Sequence, residues 1–409
     1  MPDLMFRPVD ELAGMVRSGD LSARELVQSS LDAIEALNPE LNAFVDVFVE
    51  DALAEADGIG PDDARPFAGV PIAIKNNRAV AGRRMTNAAE FLGDFVPDYD
   101  HNAVRRLREA GFVIVGTTTT PEWSILPWIN TRRFGPTRNP WDPTRTSGGS
   151  SGGSSSAVAS GMVPIAEAND GGGSTRIPAA CCGLVGLKPQ RDRISMAPEI
   201  GTNFLGVDGV LTRTVAETAA LLDVMAGYEL GDANWAQPPH EPFAEAAQRA
   251  PSGLRIAMTT TPPIDCEVDP SHVEAVRDTA ELLESLGHHV EEATPPWGQP
   301  ELFDVFAAVF GPMVCLQIAH ARLFQGREPT AEDMEPLSWA LWGRSTDMNS
   351  IDGGIARVRL EMVARALITW ISDYDFVITP ALAEAPVVHD TINPCSDQPM
   401  ADFTRSGHF

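Results

Sequence analysis

Three features of this chain carry atoms that chemistry can use. They are Lys75 at the end of an alternating apolar run, the glycine-serine run GGSSGGS at 148–154, and DGGGS at 170–174. A serine hydroxyl is a weak nucleophile until a base removes its proton. No histidine lies in these stretches, so the base on offer is a lysine, which serves only if burial holds it neutral. Such a lysine can deprotonate one serine, which in turn takes the proton of another. Consecutive glycines leave backbone N–H groups uncovered, so those of Gly171, Gly172, Gly173 and Ser174 can surround a developing oxyanion. Each such donor typically contributes roughly 10²–10³ in rate.

Elements must bring these pieces together. By composition a Gly-Ser run is a flexible linker, but Ala157, Val158, Met162, Val163 and Ile165 follow at once and mark a packed segment. Val70, Ile72 and Ile74 alternate, which predicts a strand over 69–75 with Lys75 at its end. A helix over 102–110 and a strand over 112–115 continue a β-α-β rhythm. Upstream, Ser22 and Glu25 spell a capping box for a helix over 21–37 that Asn38-Pro39 ends, and an amphipathic helical pattern resumes over 42–55. Downstream come strands over 254–258, 289–292 and 376–379, and helices over 270–286, 302–324 and 355–370. The last stretch, 395–409, reads as irregular and poorly ordered.

With 409 residues and 44% hydrophobic content the chain can bury a large core. Its formal charge of −27 repels phosphate backbones and anionic lipid surfaces, which disfavours nucleic acid and membrane partners. It has no unbroken apolar run of membrane-spanning length and an N-terminus unlike a signal peptide, so a soluble protein is expected. The five cysteines are scattered and odd in number, which fits a reducing cytoplasm, and neither they nor the eight histidines stand in metal-ligand spacing. No metal and no organic cofactor is expected.

The run GGSSGGSSSAVASG followed by NDGGGSTRIPAACCGLVGLKP closely resembles the signature of the amidase signature family of serine hydrolases. GVPIAIKNN around Lys75, TPEW at 120–123, GPTRNPWD at 135–142, GVLTRTVAETAALLD at 209–223 and ITPALAEAP at 378–386 extend the likeness over nearly the whole chain. The resemblance implies an α/β fold with a large mixed central sheet covered by helices on both faces. It also implies amide hydrolysis through an acyl-enzyme. It assigns Ser174 as nucleophile, Ser150 as a bridging serine held in a cis peptide, and Lys75 as base and then acid. Asp170 and Arg176 fall in the family's D-x-GGS-x-R-x-P pattern and are expected to shape the loop; Ser151 either joins the hydrogen-bond network or caps the following helix. Cys315, on a helix in the variable region, either lines the substrate pocket or packs, and packing is the commoner use of a buried cysteine.

One amidase domain over 1–409 is expected, with a helical segment over about 1–66, a catalytic core over about 67–225 and a variable substrate-pocket region over about 226–409. The expected partner is a small linear or cyclic amide; a homodimer is plausible although no segment marks its interface. Three positions depart from the family pattern. Asn76 stands where aspartate is often found, Thr175 where an apolar residue is, and Asp192 where a glycine is. A carboxylate lost beside Lys75 would change how the lysine is charged. The chain also stops where family members continue into further strands, which reads as a fragment or a shortened variant. Two other readings stay open: a catalytically silent interaction protein of the same shape, and the amidase subunit of a glutamine-dependent transamidase. Against the latter, Ile177 stands where that subgroup carries glutamine.

Overall fold

The computed structural model describes residues 4–201, 203–298 and 301–409. Contacts divide the chain into two compact units, residues 1–248 with 386–394 and residues 249–385 with 395–409.

The first unit is built on a six-stranded mixed sheet. Its strands are β1 (Phe44–Val47), β2 (Pro71–Lys75), β3 (Val113–Thr118), β8 (Ile165–Asp170), β9 (Val185–Gly186) and β10 (Val207–Thr212), in the order β1-β3-β2-β8-β10-β9. Between β3 and β8 lie two small hairpins, β4 (Asn130–Thr131) with β5 (Gly135–Pro136) and β6 (Arg138–Asn139) with β7 (Asp142–Thr146). The centre of the sheet is parallel: β2 runs alongside β3 and β8, with Ile72 opposite Ile165 and Ala73 opposite Ala166. Every residue of β2, β3, β8 and β10 is buried, including the polar and charged Lys75, Thr118, Glu167 and Asp208. The covering helices are α1 (Val9–Ser18), α2 (Ala23–Leu41), α3 (Val49–Asp57), α4 (Asn102–Glu109), α5 (Gly152–Ala159), α6 (Arg176–Cys182), α7 (Val215–Met225) and α8 (Phe243–Ala246). Leu26, Val27 and Ile34 of α2 join Ile72, Val113, Val115 and Leu107 in one hydrophobic core.

The capping box of α2 forms as the sequence predicts, with Glu25 N–H donating to Ser22 Oγ and Ser22 N–H to Glu25. The helix then runs through Pro39 to Leu41 rather than ending at Asn38-Pro39. It stops at Asn42, whose left-handed backbone is tied to Asn38, while the Asn38 side chain accepts from Ala43 and Phe44 N–H. The helical pattern expected over 42–55 is likewise divided: β1 comes first and α3 second. Antiparallel pairing with β3 takes 44–47 into the sheet, a tertiary effect that outweighs local periodicity.

The second unit carries a parallel three-stranded sheet of β11 (Arg255–Met258), β12 (His289–Glu292) and β13 (Phe376–Ile378), in the order β12-β11-β13. Its helices are α9 (Pro270–Ser285), α10 (Leu302–Gln325), α11 (Pro336–Asp347), α12 (Ser350–Ile371) and α13 (Pro399–Ser406). By length and composition alone α10 could cross a membrane, although its apolar run is interrupted by polar residues such as Gln317 and His320. Here it packs against α11 and α12 with Val309, Val314, Cys315 and Ile318 buried. The tail read as irregular instead forms α13: Pro399 starts it, and Phe403 is buried with its ring 5.6 Å from Phe303 and 6.1 Å from Phe310. The chain is thus α/β, with a mixed sheet covered by helices.

Candidate active site

β2 delivers Lys75 into the interior, where its side chain is fully buried. Nζ donates to Ser150 Oγ at 2.7 Å and to Asn169 Oδ1 at 3.0 Å. At the other end of the residue, the Lys75 backbone N–H donates to Glu167 Oε2 at 3.0 Å. Burial pushes the amine down to about 7, opposed by the carboxylate of Glu167 and reinforced by the charge of Arg78. Burial therefore favours the neutral amine, the form in which a lysine can act as a base.

Ser150 sits in the turn that leads into α5, and the Gly149–Ser150 peptide is cis. A Cβ on Gly149 would lie 2.5 Å from Leu126 O and 2.6 Å from Trp128 N, both backbone atoms, so nothing larger than glycine fits. Ser151 does not cap α5 with its side chain; its hydroxyl exchanges long hydrogen bonds of 3.4 Å with the carbonyl and N–H of Asn169. Its N–H donates to the carbonyl of Ser174 at 3.1 Å, which joins the two serine turns. Ser174 is partly exposed, and among the described residues its hydroxyl makes no hydrogen bond to Ser150.

Asp170, at the end of β8, organises the glycine turn. Oδ1 accepts from Gly173 N–H (2.8 Å) and Arg176 Nη2 (2.8 Å), and Oδ2 accepts from Arg176 Nε (2.9 Å) and Thr175 N–H (3.2 Å). Burial alone would raise this carboxyl, but the Arg176 hydrogen bonds and charge outweigh it and hold the group below its ordinary range. The arrangement fits the loop-shaping part expected of Asp170 and Arg176. It also corrects one expectation: Gly173 N–H is committed to Asp170 and is not open to an oxyanion. At Gly173 φ is +129°, and a Cβ there would meet Ile177 Cδ1 at 2.6 Å, so the turn needs glycine.

The Asn76 side chain, although next to Lys75 in sequence, has its hydrogen bonds elsewhere. Its amide is taken up by Thr86 N–H and Oγ1, Thr117 Oγ1 and Arg84 O, pinning the 84–86 loop to the sheet. The carboxylate that touches Lys75 is Glu167, which the sequence reading missed. It also missed Asn169 and Asn77, whose side chains exchange hydrogen bonds of 2.8 and 3.2 Å. The available signal was a charged residue inside the apolar strand IAEAND, placed by period-two alternation on the same face as Asn169. Arg78, Asp208 and His101 form a buried group beside them: Arg78 donates twice to Asp208 Oδ1, and His101 Nδ1 lies 3.5 Å from Asp208 Oδ2. Cys315 belongs to the second unit, where it is buried on α10.

The family model for Amidase matches residues 25–406. This chain belongs to the amidase signature family. It is 35% identical over 399 residues to a putative amidase of Synechocystis sp., covering 94% of this chain and 75% of that protein. It is 37% identical over 342 residues to the 6-aminohexanoate-cyclic-dimer hydrolase of Paenarthrobacter ureafaciens, covering 81% of this chain and 69% of that one. A solved structure of 6-aminohexanoate cyclic dimer hydrolase superposes with a TM-score of 0.90 at 32% identity, over 96% of this chain and 83% of that chain. Membership makes this amidase a hydrolase acting on amides.

Proposed function

We propose that this amidase cleaves a carboxamide C–N bond by acyl transfer, with Ser174 as nucleophile, Ser150 as proton relay and Lys75 as base. The observation that carries the reading is the 2.7 Å hydrogen bond between a fully buried lysine, depressed to about 7, and Ser150. Neutral Lys75 takes the proton of Ser150 as Ser150 takes that of Ser174, whose Oγ attacks the amide carbonyl. The relay needs the Ser174 hydroxyl to turn onto Ser150 Oγ when substrate binds; such hydrogen bonds are often unformed in the free enzyme. The N–H groups of Gly171, Gly172 and Ser174 remain to hold the tetrahedral oxyanion. As the C–N bond breaks, the proton returns through Ser150 to the leaving nitrogen. Water then takes the place of the amine, gives its proton to the same relay and releases the carboxylic acid.

Small linear and cyclic aliphatic amides are the proposed substrate class, supported by the similarity to 6-aminohexanoate-cyclic-dimer hydrolase. Amine release from a panel of such amides tests the reading. Ser174→Ala and Lys75→Ala should each lose roughly 10⁴-fold or more in kcat, and an unimpaired rate in either variant would sink it.

A further inference from the structure

β8 holds Lys75 from both ends. Glu167 and Asn169 stand two residues apart on one face of the strand; the first takes the backbone N–H of Lys75 and the second its Nζ, each at 3.0 Å. The β2-β8 pairing closes at Ala73 opposite Ala166, so the Glu167 carboxylate takes over where the backbone ladder ends. Ser154 Oγ donates to the Glu167 carbonyl at 2.8 Å and fixes the strand behind it. Glu167 is fully buried, and its second oxygen, Oε1, has no hydrogen-bond partner among the described residues. A half-satisfied carboxylate in the interior is costly unless a charge answers it.

The charged groups around it are few. Lys75 lies on β2, Arg78 on the turn after it, Asp208 on β10, Asp170 at the end of β8, and His101 at the start of α4. Arg78 already meets Asp208 through hydrogen bonds of 2.8 and 2.6 Å, and Asp170 meets Arg176. His101 is held neutral, its ordinary value lowered mainly by burial. Arg78 and Lys75 are the cations whose charge offsets that of Glu167, and Glu167 is the carboxylate that acts most strongly on Lys75. We infer that Glu167 is a positioning residue that fixes the backbone of Lys75 and, through its charge, sets the pH at which that lysine becomes a competent base. Burial and then the Asp208 carboxylate push the Glu167 carboxyl up while burial pushes the Lys75 amine down, so the two buried groups titrate as a pair.

The inference rests on the proposed lysine base, and the test separates the two. The rate at which a fluorophosphonate labels Ser174 is followed against pH in the wild type, Glu167→Gln, Glu167→Asp and Lys75→Ala. A carboxylate favours protonated lysine, so removing it moves the midpoint to lower pH. Glu167→Gln keeps an acceptor for the Lys75 N–H and should lower the midpoint by about one pH unit. Glu167→Asp, with the charge withdrawn by one methylene, should lower it less. A merely structural Glu167 would slow labelling or lower the melting temperature with the midpoint unmoved, and that result overturns the inference. If the Gln variant does not fold, the Asp variant decides by the same criterion. Lys75→Ala labelled as fast as wild type would overturn the underlying reading. Silent Lys75→Ala with unmoved midpoints would overturn the role of Glu167 alone.

Discussion

At the scale of single residues, the proposed mechanism depends on withholding water from one amine. Lysine in water holds its proton at an ordinary value of 10.5, and burial brings Lys75 down to about 7. A base acts when neutral, so reaction at Ser174 should rise as pH climbs through about 7 and fall away below it; a profile flat across that range would contradict the assignment. Asp170 acts on geometry. Its carboxylate accepts backbone N–H groups from Gly173 and Thr175 and is clamped by Arg176. Asp170→Ala leaves those donors unpaired and should cost about 1–3 kcal/mol in chemical denaturation. It should also slow Ser174 labelling. Unchanged stability would show that the carboxylate does not hold the turn.

At the scale of elements, β2 and β8 lie side by side and carry Lys75 and Asn169 to the same end of the sheet, where α5 begins with Gly152. The turn before α5 has no room: Gly149→Ala would press a methyl onto the backbone at Leu126–Trp128 and should cost about 1–3 kcal/mol or more. Thermal unfolding of that variant checks it. α4 offers a pH-dependent check, because His101 caps it by accepting from Ala103 N–H while buried and neutral. The unfolded chain takes up a proton near the ordinary 6.5 and the folded chain resists it. Stability should therefore fall as pH drops below that value, by up to about 1.4 kcal/mol per pH unit. His101→Asn, which keeps a capping acceptor, should flatten this slope, and an equal slope in both proteins would contradict it.

Much of this framework was legible in the sequence because local signals agreed with the fold. The capping box at Ser22 falls where α2 begins, and the alternation before Lys75 falls on β2 and ends with it. What local pattern could not supply came from partners distant in sequence. Pairing with β3 turned 44–47 into a strand, and burial against Phe303 and Phe310 ordered the helix at 399–406. The site divides in the same way. Lys75, Ser150 and Ser174 stood out by residue type, whereas Glu167 matters only because β8 lies beside β2, and Gly173 N–H is spent only because Asp170 folds back on it.

At the scale of the molecule, the charge of −27 is spread over a chain with 57 acidic and 30 basic residues. Self-repulsion of that size is screened by salt, so the melting temperature should rise as ionic strength is raised from a low value. A fall would show that attractive ion pairs outweigh the excess. All five cysteines are free thiols, and both Cys181 and Cys182 are pushed up by burial, which disfavours the reactive thiolate at either. The central claim is that a buried, neutral Lys75 activates Ser174 through Ser150. Mass-spectrometric mapping of a fluorophosphonate adduct, in the wild type and in Lys75→Ala at neutral pH, tests it most directly. The account predicts a single adduct on Ser174 that Lys75→Ala abolishes; an adduct on another residue, or one that forms equally well without Lys75, would contradict it.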